Sequence, residues 1–252
     1  TDCSPGFGSV AKYVATSTLE AGLDVKSMSE TSTKVFILEV MGRHAGWIAA
    51  ASALAARNET DPPHIILMPE VPFAKKKFID KVKQTVANEG FCVVVASEGT
   101  RYKNGMFLAD SGLTDAFGHK QLGGVAPVLA QMISSIGLKN HWAVSDYLQR
   151  SARHISSKTD LDQAYAVGKK AVEFALAGKN AVMPVIKRLS DKPYKWKIES
   201  ASLSKVANVE KTLPKGYISK DGFTISSKGI DYLTPLIQGC LLYTSPSPRD
   251  NR

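Results

Sequence analysis

The sequence predicts an α/β fold in which a parallel sheet is built from βαβ layers and carries helices on both faces. Three observations predict it. Short apolar segments of about six residues alternate with helical segments of about thirteen, as βαβ units do. The short segments are apolar throughout, as strands buried on both faces require. Polar, glycine-containing segments follow these strands, at the positions where open α/β sheets bind ligands.

Three helices are predicted before residue 90 from apolar residues that recur every three or four positions. The helix over 9–24 carries Val10, Val14 and Leu23 on one face. An alanine-rich helix over 45–57 follows the first strand, and the prolines at 62 and 63 come after its end. The helix over 74–88 is amphipathic. These helices provide the connections between the strands.

The strands are predicted where short β-branched and aromatic runs stand between turn-forming residues. The run over 34–40 comes first, 64–68 follows it, and 91–96 is the third. Each is short enough to be a strand and too apolar to lie on the surface, so all three are assigned to the interior of one sheet.

The remainder of the chain is predicted in less detail. Residues 98–119 are rich in glycine and polar residues and are predicted to be a loop. Helices are predicted over 124–137 and 157–177, with Ser157 or Asp160 near the start of the second. A further strand is predicted over 181–186, and the pattern over 187–239 is mixed.

Composition indicates an ordinary globular protein. The 252 residues are 44% hydrophobic and 22% charged, and no apolar run reaches the roughly 18 residues of a membrane span. Three widely spaced cysteines form neither a disulfide framework nor a metal-binding motif, and Cys92 is predicted to be a core thiol. We therefore expect a cytoplasmic protein that is not bound to a membrane.

The net charge of +9 is confined to one half of the chain. Residues 1–120 contain 13 basic and 13 acidic side chains, whereas the remainder contains 19 and 10. The basic residues are scattered, with little aromatic interleaving, and no nucleic-acid-binding motif is present. This distribution favours phosphorylated small molecules as partners over nucleic acid.

The first polar cluster at a strand end is Met41-Gly42-Arg43. Glycine allows the backbone to approach a ligand closely, and the arginine fork matches phosphate or carboxylate. The N-terminus of the helix that follows is expected to offer free N–H groups to an anion. An arginine that only caps a surface turn is an equally good interpretation of this segment alone.

Two further clusters follow later strands. Glu98, in the segment Ser97-Glu98-Gly99-Thr100-Arg101, is a candidate acceptor for sugar hydroxyls, or a partner in a surface ion pair. The segment 146–154 places two arginines and a histidine where they can hold a phosphate, or can simply start a basic surface helix. His64 is predicted to be structural, and Lys75-Lys76-Lys77 to be a solvated helix face.

The combination of "EVMGRHAGWIAA", "SEGTR" and "YLQRSARH", in this order, resembles the phosphofructokinase family. The resemblance covers residues 1–239 and is greatest to the pyrophosphate-dependent branch, because Tyr147 stands where the ATP-dependent branch usually has histidine and Gln149-Arg150-Ser151 follow it. It implies a phosphofructokinase-like fold, of which this chain is the fructose 6-phosphate half, truncated at both ends. Residues 240–252 resemble a translated sequencing adapter and are expected to have no structural role.

The resemblance also implies roles for individual residues. Met41, Gly42 and Arg43 would hold fructose 6-phosphate, and Glu98 would bond its hydroxyls. Residues 147–150 (Tyr147, Leu148, Gln149 and Arg150) would hold the 6-phosphate, with Arg150 also stabilising charge on the transferring phosphoryl group. Lys34 stands at the position where bacterial ATP-dependent relatives have an arginine that reaches the substrate of a neighbouring subunit. His141 replaces a family arginine, so Lys139 or His141 is expected to substitute for it.

The resemblance places the catalytic aspartate and the donor-binding, Mg²⁺-binding stretches upstream of this chain, which lacks an initiator methionine. We therefore expect no catalytic base and no metal site in the chain, and no activity from it alone. The intact enzyme is expected to transfer a phosphoryl group reversibly from pyrophosphate to O1 of fructose 6-phosphate in glycolysis, as a dimer or larger homo-oligomer. Alternatives are an ATP-dependent enzyme, a non-catalytic sugar-phosphate-binding subunit, or an anion-binding module of another α/β family.

Overall fold

The computed structural model describes residues 2–58, 60–114, 120–122 and 124–239. Its central sheet has four parallel strands in the order β2-β3-β1-β6, which are β1 (Val35–Val40), β2 (Ile65–Leu67), β3 (Cys92–Ser97) and β6 (Asn140–Val144). The helices α1 (Phe7–Met28), α2 (Trp47–Ala51), α3 (Lys75–Glu89) and α4 (Val125–Ser134) connect or precede them. The predicted parallel α/β sheet is confirmed, whereas the predicted adapter segment 240–252 lies outside the described residues.

Helices cover both faces of this sheet. Ile37 of β1 faces a core built with Phe78 of α3 and Leu129 of α4. Its neighbour Leu38 faces the opposite core, where α1 and α2 contribute Val14 and Trp47. Because successive strand residues point to opposite faces, one apolar strand supplies both cores. Within the described part of the chain, no helix is long and apolar enough to cross a bilayer.

Helix α2 is shorter than the predicted helix over 45–57. It begins at Trp47 and gives way to a 3₁₀ turn over Ser52–Ala55. The Ser52 hydroxyl donates to the carbonyl of Ala49 at 2.6 Å, a local bond that competes with regular helix geometry. The turn that leads from β1 into this helix therefore comprises residues 41–46.

Two elements differ from the sequence prediction near the centre of the chain. The predicted loop over 98–119 contains β4 (Asp110–Thr114), which pairs antiparallel with β5 (Lys120–Leu122). Strand β6 was not predicted, because its exposed side chains break the apolar run that marked the other strands. It lies at the edge of the sheet and pairs only with β1 among the described strands.

The C-terminal part of the chain adds a separate layer. After α5 (Leu148–Ser151), helix α6 (Lys158–Leu176) is capped by Ser157, whose side chain accepts the N–H of Asp160. The predicted strand over 181–186 is the first half of β7 (Val182–Asp191), which forms an antiparallel hairpin with β8 (Tyr194–Ser202) and does not join the parallel sheet. Short helices α7 (Leu203–Val206) and α8 (Ser227–Leu233) complete the described fold.

Candidate functional site

The candidate site lies at the carboxyl edge of the parallel sheet. Strand β1 ends at Val40, which is in register with Ser97 of β3, and Glu39 of β1 is in register with Val144 of β6. The segments beginning at residues 41, 98 and 146 therefore leave neighbouring strands on the same side of the sheet. The structure thus brings together the three polar clusters that sequence analysis singled out.

The first two clusters are joined by two hydrogen bonds. The Glu98 carboxylate accepts the N–H of Gly42 at 3.1 Å, and the N–H of Gly99 donates to the Gly42 carbonyl at 3.1 Å. A Cβ on Gly99 would lie 1.9 Å from the Arg43 carbonyl oxygen, so the approach of these two backbones requires glycine. This packing fixes the position of the loop that carries Arg43.

The third cluster is joined to the first by Gln149. This side chain is 2% exposed, and its carbonyl oxygen accepts the N–H of Met41 at 3.3 Å while its amide donates to the Asp146 carbonyl at 2.8 Å. Asp146 adopts the left-handed conformation, with φ of 37°, in the turn from β6 to α5. Gln149 therefore acts as a buried connection between two loops, and its contact with substrate stays a prediction.

The two arginines of the candidate site have no carboxylate partner among the residues that the structure describes. Arg43 is partly exposed, and its guanidinium has no hydrogen-bond or ion-pair partner among the residues that the structure describes. Arg150 is exposed, and its guanidinium carbon lies 4.2 Å from the centre of the Tyr147 ring. Tyr147 and Leu148 are 62% and 65% exposed. Both cations are therefore available to an anion at this edge.

Glu39 is a buried acid at the same edge that sequence analysis did not single out. Burial raises the pKa of its carboxyl, and the nearby Glu98 and Asp146 raise it further, against the lowering effect of hydrogen bonds from the N–H groups of Ala126 and Val125. Its Oε2 accepts the Ala126 N–H at 2.8 Å, at the start of α4. An acidic residue inside an otherwise apolar strand was the signal that would have found it.

The start of helix α2 is not open to an anion in the way that the sequence suggested. The Glu70 carboxylate accepts the N–H of Gly46 at 2.9 and 3.1 Å, and its Oε1 also accepts the N–H of Leu213 at 2.7 Å. This expectation is corrected: a carboxylate from within the chain already matches the positive end of the helix. An anionic ligand would therefore bind to the side-chain cations of this edge more than to the start of the helix.

The remaining basic candidates lie away from this edge. Lys34 precedes β1 at the opposite, amino end of the strand, and its ammonium donates to the Ser29 carbonyl. Lys139 also lies at that end and donates to the Ser32 hydroxyl at 2.8 Å, while His141 is exposed on β6. None of them joins the cluster of their own chain, and a role for Lys34 across subunits stays a prediction.

Several structural interpretations are confirmed. His64 is 9% exposed, its Nδ1 accepts the N–H of Val93 at 2.9 Å, and burial lowers its pKa to about 4. Burial raises the pKa of the Cys92 thiol to about 12, as befits a core cysteine. Lys75, Lys76 and Lys77 are exposed at the start of α3. Arg153 and His154 are exposed in a short 3₁₀ helix, and their part in holding a phosphate stays a prediction.

Comparison with known proteins gives consistent matches. The family model described as Phosphofructokinase matches residues 1–175. Proteins named pyrophosphate--fructose 6-phosphate 1-phosphotransferase from Halomonas elongata and Methylococcus capsulatus are 64% and 58% identical over 240 residues, which are 95% of this chain in each case. The crystal structure of a pyrophosphate-dependent phosphofructokinase from Marinobacter aquaeolei is 60% identical, with a TM-score of 0.84, over 96% of this chain. The chain spans only 57% of the length of each of these three proteins.

Proposed function

Because this chain belongs to the phosphofructokinase family, we propose that it is the fructose 6-phosphate half of an enzyme that phosphorylates this sugar at O1, reversibly, with pyrophosphate as donor. The activity belongs to a protein of the relatives' full length, of which this chain spans 57%. The proposal of pyrophosphate as donor is supported by the names of the two bacterial relatives and of the similar crystal structure.

One observation supports the proposed substrate above the others. The guanidinium groups of Arg43 and Arg150 have no carboxylate partner among the described residues, although both lie at the edge where the strands end. A phosphorylated sugar supplies the dianion that such groups bind well, through paired N–H donors. In this proposal the two arginines hold phosphate, and Arg150 also stabilises the charge that develops on the transferring group.

Glu98 would bind the sugar part of the substrate. Its Oε1 is used by the Gly42 N–H, whereas Oε2 has no hydrogen-bond partner among the residues described. A carboxylate oxygen held in place by the backbone is a strong acceptor for a sugar hydroxyl. The hydrogen bond from Gly42 would therefore orient Glu98. Its free oxygen would favour binding of substrates that carry a matching hydroxyl over those that lack it.

In this proposal Mg²⁺ is bound by the part of the full-length protein that lies outside this chain. In the described part of the chain, no group of three or more histidine, cysteine, aspartate or glutamate residues is arranged to hold a metal ion. As the family resemblance implies, the proposed mechanism gives this chain the tasks of binding and orienting the acceptor, and gives metal binding and the catalytic base to the segment outside it.

The cellular setting is also a proposal. We infer a cytoplasmic enzyme of glycolysis that works as a homo-oligomer. The free thiols of Cys3 and Cys92 fit a reducing compartment.

The experiment uses the protein restored to the length of its relatives. Binding of fructose 6-phosphate is measured by calorimetry for the parent and for Arg43→Ala and Glu98→Ala, with the exposed Arg57→Ala as control. Loss of a charge-assisted hydrogen bond of about 1.5–3 kcal/mol predicts at least a tenfold weaker affinity for the first two. Unchanged affinity for fructose 6-phosphate in both variants would reject the proposed site. Phosphorylation of the sugar by the parent protein with ATP, and not with pyrophosphate, would reject pyrophosphate as the donor.

A further inference from the structure

The buried carboxylate of Asp160 joins the starts of two helices. Asp160 lies in the first turn of α6 and is 5% exposed. Its Oδ1 accepts the N–H of Gly6 at 2.8 Å, and its Oδ2 accepts the N–H of Ser9 at 3.1 Å and the Ser9 hydroxyl at 2.5 Å. The first turn of α1, all of which the structure describes, contains no acidic residue, so Asp160 provides from another helix the cap that α1 lacks.

The surroundings of Asp160 compensate the cost of burying its charge. A carboxylate removed from water is unfavourable unless hydrogen bonds and positive charge replace the lost hydration. Helix α1 is 22 residues long and directs the partial positive charge of its start toward this carboxylate. Hydrogen bonds to an ionised acceptor are also stronger than those between neutral groups. The three donors therefore fix the first turn of α6 against the start of α1.

Two glycines shape the backbone of α1 for this contact. Gly6 has a φ of 97°, in the left-handed region that favours glycine, and its N–H donates to Asp160 in that conformation. A Cβ on Gly8 would lie 2.3 Å from the Leu236 carbonyl oxygen and 3.1 Å from the Cβ of Asp160. A side chain at residue 8 would therefore separate the two helix starts.

Ser157 extends the same anchor to the residue that precedes α6. It is fully buried, and its backbone N–H donates to the Ser9 hydroxyl oxygen at 3.2 Å. Its own hydroxyl donates to the Leu236 carbonyl at 2.7 Å. The Ser9 hydroxyl thus donates to one residue of this turn, Asp160, and accepts from another, Ser157. The chain is held on α1 from the moment it enters α6.

This anchor closes the segment that carries Arg150. Residues 150–156 comprise the end of α5 and a 3₁₀ turn, and both short helices pack against α1. The buried Gln149 side chain holds the near end of the segment, and Ser157 holds its far end. The Arg150 side chain is exposed and packs on the Tyr147 ring of the preceding turn. Its place at the edge of the sheet therefore follows the backbone that the two anchors hold.

We propose that Asp160 and Ser9 are positioning residues for Arg150: they hold the far end of the segment 150–156 where the Arg150 guanidinium meets a phosphate. Arg150 is here the phosphate-binding residue of the proposed function, on which this inference rests. Neither Asp160 nor Ser9 touches the ligand. Both act through the backbone between α5 and α6.

A double-mutant cycle in the protein of full relative length tests this role, with the affinity for fructose 6-phosphate measured by calorimetry. Arg150→Ala is expected to weaken binding at least about tenfold, and Asp160→Ala about three- to tenfold. A protein with both substitutions is expected to bind like Arg150→Ala alone, because Asp160 acts only through Arg150. In an Arg43→Ala protein, by contrast, Asp160→Ala is expected to keep its full effect.

The matched control is Asp162→Ala, which removes an exposed carboxylate of the same helix that pairs with Lys158, and it is expected to leave the affinity unchanged. Asp160→Asn keeps one acceptor oxygen and is expected to retain part of the affinity that Asp160→Ala loses. If Asp160→Ala does not fold, Asp160→Asn and Ser9→Ala take its place in the cycle.

The possible outcomes separate this role from the proposed function. If Asp160→Ala binds like the parent, or if its effect multiplies with that of Arg150→Ala in the double variant, the positioning role is overturned and Arg150 remains a ligand residue. An Arg150→Ala protein that binds fructose 6-phosphate like the parent would reject the phosphate-binding role of Arg150, and the positioning role with it.

Discussion

The side-chain carbonyl of Gln149 accepts a hydrogen bond from the backbone N–H of Met41 at 3.3 Å. This contact links two loops that are 108 residues apart in sequence and that carry Arg43 and Arg150. The candidate site is therefore held together by a buried amide. Its removal should disturb binding without removing any charge.

Gln149→Ala is expected to weaken fructose 6-phosphate binding and to lower the free energy of unfolding by about 1–3 kcal/mol, because the Met41 N–H and the Asp146 carbonyl lose a partner. Calorimetry and urea unfolding of the full-length protein measure the two effects. Gln131→Ala, at an exposed glutamine of α4, is the matched control. If both variants bind the sugar phosphate like the parent, Gln149 does not position the site.

Gly99→Ala should be among the most damaging small substitutions. The added methyl group would lie 1.9 Å from the Arg43 carbonyl oxygen and 2.4 Å from that of Gly42, so the backbone must move. We expect a loss of about 1–3 kcal/mol in unfolding free energy together with weaker substrate binding. Gly216→Ala, where a Cβ would meet nothing within 4 Å, provides the comparison. Equal stability of the two variants would contradict the close approach described for this loop.

Glu70 is expected to stabilise the folded protein by accepting two backbone hydrogen bonds. Glu70→Ala leaves the N–H groups of Gly46 and Leu213 without their acceptor, and we expect a loss of about 1–3 kcal/mol in urea unfolding. Glu70→Gln keeps one carbonyl oxygen and should lose less. A Glu70→Ala protein that is as stable as the parent would show that water replaces the carboxylate at no cost.

Stability should fall on acidification in a way that depends on His64. Its pKa is about 4 in the folded protein and about 6.5 when unfolded, so the unfolded chain binds the proton first. The contribution of neutral His64 is present above pH 6.5 and is lost as the pH falls toward 4, by roughly 1.4 kcal/mol per pH unit at most. His64→Gln should flatten the stability profile in this window, as measured by denaturant unfolding at several pH values, whereas His154→Gln should not.

Most of the parallel core was predictable because its signal is local. Each of β1, β2 and β3 is an apolar run, apart from Glu39 in β1 and the terminal Ser97 of β3, and α1 and α3 repeat their apolar residues at helical spacing. Strand β6 was missed because an edge strand needs no continuous apolar run, and Trp142 and Val144 are exposed there. The hairpin β4–β5 was missed because polar residues and glycine are typical of loops as well.

The candidate site was predictable in outline and not in its internal connections. The polar segments after the predicted strands indicated that residues 43 and 98 belong to one edge, and the family resemblance added Arg150, because the strand before it was not predicted. The roles of Glu39, Glu70 and Gln149 depend on backbone N–H groups 87, 24 and 108 residues away, and no local pattern reveals such partners. Glu70 belongs to none of the three polar clusters, although its carboxylate decides what the start of α2 can bind.

The two glutamates that occupy helix starts, Glu39 at α4 and Glu70 at α2, divide the site into framework and surface. Main-chain donors at these points are already committed to the framework. Exchange of the exposed side chains at this edge should therefore alter ligand binding while the hydrogen bonds of the framework stay in place.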